Sequence, residues 1–196
     1  IEDIIITDGY VGGQAVVEYF RGLLLTLKGT SSEAMSVSVK WDGAPAVVCG
    51  TNPDNGQFFV GTKAVFAKAA KINYTKKDIA KNHGTEELGQ KLLKCLVHLK
   101  KLNIQGVVQG DLLYTDEGIT RKNIDGKPHL TFTPNTITYA VPEGSELSKQ
   151  IDRAKVGIIF HTTYTGESLA SMNAQGGADI SSFSKSNDVF FDNASY

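Results

Sequence analysis

No run of about 18 consecutive apolar residues occurs in the chain, which excludes an α-helical membrane span, and no signal-peptide pattern opens it. Cysteine is scarce. Cys49 and Cys95 each stand in an apolar stretch, with no C-x-x-C and no Cys/His cluster, so neither a disulfide framework nor a structural zinc is indicated. They read as buried free thiols of a reducing compartment, which places the protein in the cytoplasm. His98 lies in a helical pattern with no second ligand at metal spacing, a poor basis for a metal site. A surplus of either charge is missing too: the formal net charge is −1, so the molecule is not a polycation that coats nucleic acid, and any such contact must come from a local patch. There is no internal repeat. The chain opens on Ile1 rather than methionine and reads as a processed or excised piece of something longer.

What is present suits one domain. The 196 residues, 41% apolar and 21% charged, are enough for one sizeable core over residues 1–196. Ile1 to Thr7 is an apolar lead-in and Asp8-Gly9 a turn. From Val11 to Lys28 the residues Val16, Phe20, Leu23, Leu24 and Leu27 recur at helical spacing as a packing stripe. Thr85 to Lys101 predicts a second helix, with Glu86 and Glu87 in its first turn and Leu88, Leu92, Cys95, Leu96 and Leu99 on one face. Ser145 to Arg153 predicts a third. Strands are expected over Ser36–Val39, Ala46–Cys49, Phe58–Val60, Val107–Tyr114, Leu130–Phe132, Ile137–Val141 and Val156–Phe160, with Asn55-Gly56 and Asp125-Gly126 as hairpin turns. Residues 167–196 are weakly patterned. The expected architecture is α+β, mainly antiparallel sheets with two or three packing helices.

Three places carry chemistry. Lys40 ends the alternating Ser-Val run and enters the turn Lys40-Trp41-Asp42-Gly43. It is either a solvated lysine at a hairpin mouth or an amine used covalently, which requires apolar neighbours or a second cation to favour its neutral form. Lys63, directly after Gly61-Thr62, suits a phosphate or substrate contact. The lysines from Lys63 to Lys81, interleaved with Phe66 and Tyr74, are either a base-stacking cationic patch or a solvated face over a core aromatic. Asp111 interrupts the buried run Val107–Tyr114, and a carboxylate there needs a cation, a metal or a ligand hydroxyl to face.

The turn Lys40-Trp41-Asp42-Gly43 resembles the Lys-x-Asp-Gly signature of the covalent nucleotidyltransferases: ATP-dependent DNA ligases, RNA ligases and mRNA capping enzymes. Phe59-Val60-Gly61-Thr62-Lys63, Gln109-Gly110-Asp111, Leu130-Thr131-Phe132 with Tyr139, and Val156-Gly157-Ile158-Ile159 resemble, in order, the later pocket strands of that superfamily. The resemblance implies a ligase-type nucleotide pocket in which Lys40 attacks the α-phosphate of ATP, releasing pyrophosphate and leaving a lysyl-AMP. It further implies that Val39, Asp42, Gly43 and Lys63 line the nucleotide and that Asp111 serves the ribose or a Mg²⁺ ion. Phe132 or Tyr139 would stack on the base, and RNA or DNA ends would be the acceptor. The lack of a recognisable following barrel points toward the RNA-ligase type. Two departures stand out, Val156 in the place of a motif Glu and no Lys-x-Lys after Gly166, so either substitutes such as His161 or Lys155 serve instead or the activity is reduced or lost. A degenerate nucleotide-binding or interaction module that keeps the fold without ligation is the alternative.

Overall fold

The computed structural model describes residues 1–30 and 38–194, and the chain divides into two compact units, one over residues 1–37 and one over 38–195. The first unit holds helix α1 (Glu2–Leu27), broken by the non-helical backbone of Gly9 at φ 55°, a conformation that a residue without Cβ adopts at little cost. The expected turn is there, but the expected lead-in before it is also helical. Beyond the break the two arms approach so closely that a Cβ on Gly12 would fall 2.2 Å from the Ile4 carbonyl oxygen. Val16 is buried, whereas Phe20, Leu24 and Leu27 of the expected packing stripe are exposed.

The second unit is α+β. Its strands are β1 (Ala46–Thr51), β2 (Phe58–Gly61), β3 (Val107–Thr115), β4 (Thr120–Ile124), β5 (Lys127–Phe132), β6 (Tyr139–Pro142), β7 (Val156–Thr165), β8 (Asn173–Gly176) and β9 (Val189–Asn193). Its helices are α2 (Lys76–His83), α3 (Glu87–Leu99) and α4 (Glu146–Arg153). With α1 this makes four helices among the described residues. β2, β1, β3, β7 and β8 follow one another across a six-stranded sheet, β9 joins it on β7, and β4, β5 and β6 form a second sheet. Pairing is antiparallel except between β7 and β9. Of the strand expected over Ser36–Val39, Ser36 and Val37 lie outside the described residues, and Ser38 and Val39 belong to no named strand. No helix among the described residues is long and apolar enough to cross a membrane.

Local chemistry explains the connections. Asp125 and Gly126 both take positive φ, 50° and 76°, the backbone of a tight hairpin turn whose twist matches its strands. Asn52 closes the β1–β2 turn, its carbonyl accepting from the Gly56 amide at 2.8 Å. Helix α2 was not anticipated. It is started by a reciprocal cap in which Thr75 accepts from the Asp78 amide and Asp78 accepts from that of Thr75.

The large sheet has two differently used faces. Because successive side chains of a strand point to opposite sides, Val108 and Leu112 of β3 and Val156, Ile158 and Phe160 of β7 reach one side, where they bury Leu92, Cys95 and Leu99 of α3. Both cysteines are free and buried in that layer. On the opposite side are two separate clusters. Val48, Phe59, Val65 and Val107 form one. Leu113, Tyr114, Leu130, Phe132 and Ile159 form the other, where the small sheet covers the large one. Asp111, two residues before Leu113, falls on that second face.

Candidate active site

The loop that carries Lys40 is held at both ends by backbone hydrogen bonds. The Val39 amide donates to the Ala194 carbonyl at 2.8 Å, and the Ala194 amide donates to Phe160 at 2.9 Å, which anchors the loop beside the residue preceding His161. At the other end the Ala44 amide donates to the Leu112 carbonyl at 2.9 Å, and the Leu112 amide to that of Pro45 at 3.1 Å. The loop thus continues the β1–β3 ladder, in which Ala46 is opposite Asp111. Its closest approach is at Gly43: a Cβ there would sit 2.4 Å from the Asp111 Cβ and 3.0 Å from the Leu112 carbonyl oxygen. Only a residue without a side chain fits.

Asp111 is partly open, with 21% of its side chain exposed, and its Oδ1 lies 3.4 Å from His161 Nε2. His161 reaches it because it stands at the register shift opposite Gln109 and Gly110, where β7 carries one residue more than β3. The other ring nitrogen, Nδ1, is 2.8 Å from Thr162 Oγ1. Two residues before Asp111, Gln109 accepts from the Tyr164 hydroxyl at 2.7 Å. Lys40 is exposed and forms no ion pair with a described residue. Lys63 is also exposed and unpaired in that sense. It opens a single helical turn, Lys63–Phe66, that packs through Val65 and Phe66 on the Asp111 side of the sheet.

Asp42, which the resemblance sets beside the nucleotide, is engaged by the chain itself. Its carboxylate accepts from Asn135 Nδ2 at 2.9 Å and from the Thr136 and Ile137 amides at 2.7 Å each, clamping the lysine loop to the connection between β5 and β6. The Ile137 amide, then Asn135 and Thr136, hold its pKa below the ordinary carboxylate value. The Asp42 amide also donates to the Tyr139 hydroxyl at 2.9 Å.

Trp41, Tyr139, Phe132 and Tyr114 form a continuous run of rings. Trp41 and Tyr139 stack at 5.2 Å between centroids, Tyr139 and Phe132 at 5.5 Å, and Phe132 meets Tyr114 at 4.9 Å. Phe132 is only 4% exposed and packed against a ring on each side, so it has no face for a base. Tyr139 is enclosed between Trp41 and Phe132. The half-buried Trp41, which the signature treats as any residue, ends the run.

Two further expectations change. Val156 is fully buried on the α3 side, with Ile158 and Phe160, whereas Asp111 and Ile159 belong to the other face. A side chain at 156 therefore cannot enter the Asp111 site, and Val156 is a packing residue. In the lysine-rich segment Phe66 packs on Tyr164 at 4.4 Å, and the Tyr74 hydroxyl accepts from Asn52 Nδ2 at 2.6 Å. Phe66 and Tyr74 are half-buried and packed on the core, and the lysines around them are exposed.

The structure thus brings Gly43, Asp111 and His161 together, with Val39 and Lys40 on the loop that Gly43 holds against β3, and gives Asp42, Phe132 and Tyr139 contacts within the protein. For His161 the sequence signal is its place at the end of an apolar strand, in a polar segment suited to ligand contact, where it can substitute for the missing motif acid. No curated protein and no solved structure matches the chain. The model of a family of unknown function, DUF6267, matches residues 1–196, and the chain belongs to that family.

Proposed function

We propose that the unit from residue 38 onward is a ligase-like nucleotidyltransferase in which the Lys40 amine attacks the α-phosphorus of ATP. A P–N bond forms and the bond from the α-phosphorus to its bridging oxygen breaks. Pyrophosphate leaves with the electron pair, and the amine gives up its proton to solvent. The single observation that supports this reading is the close approach of Gly43 to Asp111, in a loop whose Lys40, three residues earlier, is exposed and forms no ion pair with a described residue, and on a face that holds a carboxylate and an imidazole. Lys63, whose helical turn packs on the same side of the sheet, would meet phosphate oxygens as a mobile point charge. Among the described residues no three His, Cys, Asp or Glu side chains gather around one point. A Mg²⁺ ion would therefore be held by Asp111 together with the phosphates it accompanies, the usual manner for this cation, and would neutralise charge on the leaving pyrophosphate. The adenylyl group would then pass to an RNA or DNA end.

A second reading is favoured by different residues. The Asp42 carboxylate is consumed by the β5–β6 connection and Phe132 has no open ring face, as suits a module that keeps the fold and binds without transferring. Intact-mass measurement separates the two. After incubation with ATP and Mg²⁺ the protein should gain one AMP, the adduct should survive denaturation, and Lys40→Ala should abolish it. A wild-type protein that gains no mass with any nucleoside triphosphate and either Mg²⁺ or Mn²⁺ refutes transfer and leaves the binding module.

A further inference from the structure

Between α4 and β9 lies a cavity of about 670 Å³ that takes no part in the chemistry of Lys40. Arg153, the last residue of α4, and Lys185 stand on its wall, Phe190 and Phe191 of β9 contribute aromatic surface, and Gln150 and Asn187 add neutral polar groups. No carboxylate lines it among the described residues. The nearby acids are engaged elsewhere: Asp152 accepts from Arg121 at 2.7 Å, Asp188 pairs with Lys101, and Asp179 accepts from the Ser181 amide at 2.9 Å. Neither the Arg153 nor the Lys185 side chain makes an ion pair or hydrogen bond with a described residue.

Arg153 and Lys185 both border one concavity whose wall carries no carboxylate among the described residues, so an anion in it would be attracted by both. A guanidinium matches two oxygens of a phosphate in a fork, and an ammonium adds a point charge. Phe190 and Phe191 are half-buried on opposite faces of β9, so one ring, not the pair, offers a surface for a flat apolar group, and the volume is within the range of small-ligand sites. We infer that this cavity binds a phosphate monoester carried on a planar ring system, of the size of a nucleoside monophosphate. The phosphate could belong to a free nucleotide or to the 5′ end of a nucleic-acid strand. This site does not depend on Lys40, and loss of adenylylation leaves it intact.

The test is equilibrium binding of AMP, a short 5′-phosphorylated oligonucleotide and its 5′-hydroxyl counterpart to the full chain, repeated with the double variant Arg153→Gln/Lys185→Gln. Hydrogen exchange with each ligand locates the contact. At least one phosphorylated ligand should bind saturably, protect residues 180–191, and weaken at least about tenfold in the variant, the effect of losing charge-assisted hydrogen bonds to phosphate. AMP binding as tightly as the phosphorylated strand identifies a free nucleotide, and preference for the phosphorylated strand over both AMP and the 5′-hydroxyl strand identifies a strand end. Absence of saturable binding, equal affinity in the variant, or protection confined to residues 39–45 overturns the inference.

Discussion

Gly43→Ala is the most direct perturbation of the candidate site, because it adds one carbon at the point where the lysine loop meets β3. That carbon would lie 2.4 Å from the Asp111 Cβ, 3.0 Å from the Asp111 carbonyl carbon and 3.0 Å from the Leu112 carbonyl oxygen. None of these atoms ends a flexible side chain, so no rotamer change relieves the clash. Either the loop lifts, breaking the Ala44–Leu112 hydrogen bond, or β3 shifts. Overpacking of this kind costs about 1–3 kcal/mol. At roughly 2–4 °C per kcal/mol for a unit of this size, the melting temperature should fall by about 2–12 °C. Gly118→Ala is the control, since its nearest neighbour is the Tyr114 Cβ at 4.0 Å and no such penalty applies. Thermal unfolding followed by circular dichroism reads both. Because the lift separates Lys40 from Asp111, Gly43→Ala should also lose AMP adduct at temperatures where it remains folded. A variant that melts with the wild type would show that the loop does not rest on Asp111 and would remove the basis for grouping Lys40 with it.

Val156→Glu forces a carboxylate into the layer beneath α3, where Val156 is 0% exposed, and should destabilise by about 4 kcal/mol or more, seen as loss of soluble protein or of a cooperative melt. A folded Val156→Glu protein that needs less Mg²⁺ for adduct formation would restore the position to the site. Asp42 is expected to shape the acid limb of stability. Its folded pKa is depressed below the ordinary carboxylate value by the Ile137 amide, then Asn135 and Thr136, so its contribution is fully present above that ordinary value and is lost as the pH falls through the folded one. Asp42→Asn should be less stable than wild type at neutral pH and should lose less on acidification to about pH 3. Parallel pH–stability curves for the two proteins would mean that the clamp on Asn135, Thr136 and Ile137 adds nothing.

Much of the fold was legible in the chain because its determinants are local. The apolar runs Val107–Tyr114 and Val156–Phe160, the helical stripe from Leu88 to Leu99, and the turn pairs Asn55-Gly56 and Asp125-Gly126 each specify backbone conformation through neighbours within a few residues. The same holds for Gly43, whose lack of a side chain marks a close approach without saying to what. Helix α2 was hidden because Lys76–His83 has few apolar residues to show a period, and its Thr75–Asp78 cap was the one available signal. The partners were decided by the tertiary structure. Asp42 finds its ligands 93 to 95 residues away, and the faces of Phe132 are filled by rings from β3 and from the start of β6. The register of β3 against β7 sends Val156 to the dry layer and, through the extra residue opposite Gln109 and Gly110, brings His161 to Asp111. A one-residue change in pairing reverses which face a side chain meets, so the composition of this site was set by strand register, which no local run of residues encodes.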